Sequence, residues 1–288
     1  MIGGGFVKGE STQMFPELEL SYFLNGRDAM HGYSRLLGKI RGALTPKQKH
    51  WWNISLRTSA MGLTTTPIPV FDQNKSVELE LNCVHHKISI RSSKGEEHHI
   101  ALEGQSLDQL YDNVTATLAS MDVYLELDES LFSNKESFKY DRKSIEALWQ
   151  VLSQIDLIFK EFKGGLRQET SPVQLWPHHF DLAFLWFSGR LVPDQDPNNE
   201  EYADEQMNFG FSTGDESIPE PYFYITAYPL PKSLPEVQLP SGAYWEAQVF
   251  NAAILKYKEL IKSNDPKDTL INFLKAVHDD GSELMLMK

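Results

Sequence analysis

The chain has 288 residues, 41% hydrophobic and 11% aromatic, with a net charge of −13 and one cysteine. That length and composition suit a large globular core. The acidic balance without a Lys/Arg cluster argues against a phosphate-tracking nucleic-acid surface and against docking on an anionic membrane. One thiol, Cys83, cannot close an intramolecular disulfide, which fits a reducing compartment and a cytoplasmic protein.

Residues 1–14, glycine-rich and polar, read as a loose arm without the apolar stretch of a secretory signal. The most apolar run, Phe180 to Phe187, is too short to span a bilayer as a helix. From Ala29 the residues Met30, Tyr33, Leu37, Ile40 and Leu44 recur at helical spacing, with Asp28 as N-cap and Pro46 as the stop. Trp52 to Arg57 alternates and predicts a strand, followed by a Thr/Pro-rich connection over Gly62 to Pro69. Val77–Asn82, Lys87–Arg91 and Glu97–Leu102 predict an antiparallel meander. Ser106-Leu107-Asp108-Gln109 is a capping box that opens a helix to about Met121, and Val123 to Leu127 reads as a short strand.

A second long helix is predicted from Arg142 to Lys163, with the stripe Ile145, Leu148, Trp149, Leu152, Ile155, Phe159 and Phe162, ended by Gly164-Gly165. Val173 to Phe187 holds a strand interrupted by Pro177, and Pro193 to Gln206 is a charged loop. Asn208–Ser212 and Tyr222–Tyr228 read as strands, Pro229 to Pro240 as a linker, Tyr244 to Lys262 as a helix, and Asp265-Pro266 as the start of a last helix. The fold class is therefore α+β, with antiparallel sheets and long helices. The order helix, strands, helix occurs twice, over 29–121 and 142–262, inside a single unit spanning 15–288. The window His50 to Leu56 aligns without gaps on His178 to Phe184, which suggests an internal duplication whose halves share one sheet or pack their sheet edges together.

Three groups carry candidate chemistry. On a strand through Trp176-Pro177-His178-His179-Phe180-Asp181, His179 and Asp181 share a face, suited to an acid–base pair or a metal-assisted site; the plainer reading makes Asp181 the ion-pair partner of Arg57 or Arg190. The strand face Trp51, Asn53, Ser55 and Arg57 suits an anionic group of a ligand, or solvent. The doublets His85-His86 and His98-His99 read as turn and surface residues without a third metal ligand. No dinucleotide, P-loop, zinc-protease or esterase motif is present.

His50-Trp51-Trp52, Arg57, Gly62-Leu63-Thr64-Thr65, Pro67-Ile68-Pro69, Phe180-Asp181-Leu182-Ala183, Phe187-Ser188-Gly189-Arg190 and Glu220-Pro221 with Phe223-Tyr224 resemble a bacterial family known as domain of unknown function 5996. The resemblance runs from about Phe15 to near the C-terminus; it implies one continuous unit and supplies no mechanism and no cofactor. Three readings follow. The first is a small-molecule-binding or interaction protein whose pocket is lined by Trp51, Trp52, Arg57, Asp181 and Arg190. The second is an enzyme using Asp181 with His50 or His179, and the third a structural protein in which this cluster locks two halves. No metal site is assigned, and ligand, reaction and oligomeric state stay open at this point.

Overall fold

The computed structural model describes residues 14–286 except 19 and 249. The expected N-terminal arm lies, but for its last residue, outside the described residues. The architecture is α+β: two antiparallel sheets flanked by long helices. Helix α1 (Leu20–Leu44) is followed by β1 (Arg57–Thr58), β2 (Gly62–Thr64), β3 (Ile68–Val70), β4 (Lys75–Asn82), β5 (Lys87–Ser92) and β6 (Glu97–Ala101), then α2 (Leu107–Ser120). Helix α3 (Arg142–Gly164) precedes β7 (Gln174–Trp176), β8 (Asp181–Leu191), β9 (Asp204–Ser212), β10 (Tyr222–Tyr228), β11 (Ala243–Glu246) and β12 (Ala252–Lys256). A short α4 (Tyr257–Ile261) and the long α5 (Pro266–Leu286) close the described chain.

The first sheet runs β1-β2-β4-β5-β6, with β3 also on β4; the second runs β11-β12-β10-β9-β8-β7. Their edges touch. Leu56 and Leu175 exchange both backbone hydrogen bonds at 2.9 Å, so the two sheets meet just before β1 and on β7.

Alternation sets the two faces of the second sheet. Leu182, Phe184 and Trp186 of β8, Met207, Phe209 and Phe211 of β9, and Phe223 and Ile225 of β10 are buried. They pack on α3 and α5 through contacts such as Phe159 on Phe184 and Phe162 on Phe209. The opposite face carries Asp181, Gln206, Asn208, Gly210, Tyr224 and Thr226, brought side by side by the pairs Asn208–Thr226 and Gly210–Tyr224. That polar face holds the candidate site.

Several sequence expectations are corrected. Helix α1 starts before Asp28, which is exposed inside it and paired with Arg27 at 2.7 Å rather than capping it. In the upstream turns Gly26 lies flat on Ser144 of α3, where any side chain would collide. Trp52 to Arg57 is not a strand. Residues Lys49–Ile54 form a 3-10 segment kinked at His50 (φ 56°) and Trp51 (φ 57°). Arg41 of α1 holds this coil by donating to the Trp52 and Ser55 carbonyls. The window 50–56 therefore sets a helical coil against the turn and first residues of β8.

The Thr/Pro-rich connection holds β2 and β3, and Gly62 lets β2 approach the Leu81 carbonyl more closely than a Cβ would allow. Val123 to Leu127 is irregular, and Tyr244 to Lys262 is not one helix but β11, β12 and α4. Ala252 to Leu255 is buried on both faces between β10 and β11, and this pairing overrides local helix preference. His86 is buried, bonded to Tyr140 Oη (3.1 Å) and Glu146 (3.0 Å), rather than a surface turn residue.

Candidate functional site

A cleft of about 520 Å³ opens over the polar face of the second sheet. Its floor is Asp181 of β8, Gln206 and Asn208 of β9, and Tyr224 of β10. Its walls come from the coil (His50, Trp51, Ile54), from the end of β7 and the β7–β8 turn (Trp176; His178, His179), and from the loop before β9 (Glu200 to Tyr202).

The floor is built around one tyrosine. Tyr224 lies across β9 to donate its hydroxyl proton to Asp181 Oδ2. It can do so because Gly210, its cross-strand neighbour, has no side chain; a Cβ there would overlap the ring. Tyr224 spends its one proton on Asp181, so the Asn208 amide bonded to the same hydroxyl presents an N–H. The Gln206 amide is oriented likewise, with Nε2 donating to the Glu201 carbonyl at 2.8 Å.

These bonds leave three buried oxygens without partners: Asp181 Oδ1, Asn208 Oδ1 and Gln206 Oε1. Asp181 is 8% exposed. Burial pushes its carboxyl above the usual range, against the opposing pull of the Tyr224 bond and the charge of His179. Burial, and then the Asp181 charge, push the Tyr224 hydroxyl well above its ordinary value.

The walls are held by separate bonds. His50 Nε2 lies 3.1 Å from Asp204, and the His50 backbone N–H donates to Glu200 Oε2 at 3.1 Å. Burial lowers the His50 imidazole despite the neighbouring Asp204. Glu200 is paired with Lys47 at 3.0 Å, and Lys47 lies 5.2 Å from the centre of the Trp51 ring. Trp51 is 45% exposed in a left-handed backbone conformation that disfavours a bulky residue. Burial pushes His178 down to about 4, helped by the charges of His179, His31 and Lys39.

The cleft thus gathers Asp181, His50, His179 and Trp51 from the sequence reading and leaves out Trp52, Arg57 and Arg190. Arg57 turns to Gln174 Oε1, and burial together with Arg41 lowers its guanidinium to about 10. Arg190 pairs with Glu205 at 2.8 Å, and Ser188 donates to the same carboxylate. Trp52 gives its carbonyl to Arg41. The ion pair expected between Asp181 and Arg57 or Arg190 is therefore replaced by Tyr224. His179 and Asp181 do not share a strand, because residues 177–180 form a turn with Phe180 at φ 59°. The sequence reading missed Tyr224, Asn208 and Gln206. Polar residues alternating with Met207, Phe209 and Phe211 were the available signal for the last two.

Among the described residues, no group of three or more His, Cys, Asp or Glu side chains is placed to hold a metal ion. No described helix is long and apolar enough to cross a membrane. Fold and cleft define an α+β protein whose two antiparallel sheets meet at their edges beside a polar-floored cleft. Residues 15–286 match the family of unknown function DUF5996, and the chain belongs to that family. No curated protein and no solved structure matches it.

Proposed function

We propose that the protein binds a small molecule in the cleft over Asp181 and works in the cytoplasm. The observation that carries this reading is Asp181 itself: a nine-tenths-buried carboxylate whose Oδ1 has no partner, beside two more unpartnered oxygens. Leaving a buried polar group unpaired costs about 1–3 kcal/mol, and more for a charged one, so an arrangement of three is costly unless an occupant answers it. The strained backbone at His50 and Trp51 adds support. Left-handed conformations of bulky residues concentrate at functional sites, and Trp51 stays half in solvent instead of filling the core. The cleft volume lies within the usual range for small ligands. The unpaired thiol Cys83, buried in the core, fits a reducing compartment.

The raised Asp181 carboxyl supports a second reading, an enzyme in which Asp181 moves a proton. His179 is its nearer imidazole partner electrostatically, whereas His50 is engaged by Asp204. A thermal-shift screen of wild type and Asp181→Asn against a metabolite library tests binding. A compound that stabilises wild type and not the variant supports the cleft, since a ligand of the folded state alone raises stability by mass action. A library in which every stabilising compound acts equally on both proteins sinks the reading. Turnover of such a compound by wild type alone selects the enzyme.

A further inference from the structure

We propose that the occupant of this cleft is an organic cation, an ammonium or guanidinium compound, seated against the Asp181 floor and between aromatic walls. The inference rests on the cleft being the ligand site and adds the ligand's chemistry. Four observations lead to it.

The first is charge. Asp181, Glu200 and Glu201 line the cleft, and no Lys or Arg does. The cations at the rim are already engaged, Lys47 with Glu200 and Lys49 with Asp204 (2.5 Å). Two of the three lining histidines, His50 and His178, are held toward the neutral form by burial. An anionic ligand would meet the Glu200 and Glu201 charges, whereas a cation would meet a carboxyl that no Lys or Arg pairs, with the His179 imidazole acting on it.

The second is hydrogen-bond polarity. The unpartnered groups Asp181 Oδ1, Asn208 Oδ1 and Gln206 Oε1 are all acceptors. Their orientations are fixed by bonds the same side chains make as donors or through Tyr224. A complementary ligand therefore brings positive charge or N–H donors, not carboxylate or phosphate oxygens. These oxygens are buried, so they act on the cleft as a negative field.

The third is the wall. Trp51, Trp176, Tyr202 and Tyr228 are among the lining side chains, with Tyr202 and Tyr228 packed on each other at 4.8 Å between ring centres. Aromatic faces attract cations through their quadrupole, most strongly where water is excluded. The fourth is a cation already on such a ring: Lys47 lies over Trp51. An aromatic enclosure over a buried carboxylate is complementary to a positively charged head group.

The test is calorimetric titration of the full chain in phosphate buffer, free of amine buffers, with choline, putrescine and agmatine. The neutral choline isostere 3,3-dimethyl-1-butanol is the control. At least one cation is expected to bind wild type, with the neutral isostere bound at least about tenfold more weakly. Asp181→Asn, which keeps shape and removes charge, is expected to weaken that cation about thirtyfold, the loss that follows from deleting one partner of a buried charge pair. Trp176→Leu is expected to weaken it by a smaller factor without altering the fold measured by circular dichroism. Equal binding of the isostere and the cation overturns the inference, as does cation binding that survives Asp181→Asn. If no cation binds but an anionic or neutral library compound does, in a manner lost in Asp181→Asn, the cation inference fails and the cleft reading stands. If neither class binds, both fail.

Discussion

The close fit of Tyr224 over Gly210 supports a prediction that can be worked from distances. In Gly210→Ala the new Cβ would lie 2.5 Å from Tyr224 Cε1 and nearer still to Cζ and Oη. Relaxed carbon contacts sit at about 3.5–4.0 Å, so the ring must retreat by roughly 1 Å or more. The Gly210 backbone is no obstacle, because its φ is not in the left-handed region. Overpacking of this kind costs about 1–3 kcal/mol, and displacing the Tyr224 hydroxyl from Asp181 adds part of a further ~0.5–3 kcal/mol. The expected net loss is about 2–3 kcal/mol. With the ring removed in Tyr224→Ala, the three nearest atoms that crowd the methyl group are gone. There Gly210→Ala is expected to stabilise by about 0.4–1 kcal/mol through the unfolded chain. Urea unfolding of wild type, both single variants and the double variant gives the coupling, expected at about 3 kcal/mol. A Gly210→Ala cost that is the same in both backgrounds to within about 0.5 kcal/mol refutes the packing argument.

Other expectations follow from the same geometry. Arg41→Leu removes the donors that bind the Trp52 and Ser55 carbonyls, and is expected to cost about 3 kcal/mol by urea unfolding. The same variant should lose any ligand response, because the coil carrying His50 and Trp51 is released. At Trp51, glycine should be more stable than alanine by about 1 kcal/mol, the reverse of the usual order, because the backbone is left-handed there; comparison of their urea midpoints checks it. His178 is pushed down to about 4 from an ordinary 6.5, so between those values the unfolded chain binds more protons than the folded one. Stability from this group is complete above about pH 6.5 and is lost as pH falls toward 4; His178→Asn should flatten the stability profile across that window relative to wild type.

Regular periodicity made much of the fold legible. The α3 stripe and the capping box of α2 follow from local spacing, as does the β4–β6 meander, and each is found where the pattern puts it. The errors fall where distant partners decide. The six alternating residues after Trp51 fit a strand equally well, but Arg41, on another element, captures the Trp52 and Ser55 carbonyls. Residues 244–262 satisfy a helix locally, yet β10 recruits Ala252 to Lys256 as its neighbour. The site divides in the same way. Asp181, His50, His179 and Trp51 stand out as unusual residue types among apolar neighbours. Tyr224 does not, because its role depends on a glycine in the adjacent strand, and a single sequence carries no register between β9 and β10. Charge and the family motifs group Arg57 and Arg190 with Asp181, whereas each has a nearer partner in Gln174 and Glu205.

The central claim is that Asp181 is kept for an occupant and not for the fold. Urea unfolding of Asp181→Asn beside wild type at neutral pH tests it most directly. Because the folded-state carboxyl is raised, the folded chain binds more protons than the unfolded one, so ionisation of Asp181 lowers stability as pH rises through its folded value. The variant keeps an acceptor for the Tyr224 hydroxyl and removes the buried charge. The account predicts that it is as stable as wild type or more stable, while its response to ligand is lost. A loss of more than about 2 kcal/mol would instead show Asp181 to be a structural lock between its strands, and would contradict the account.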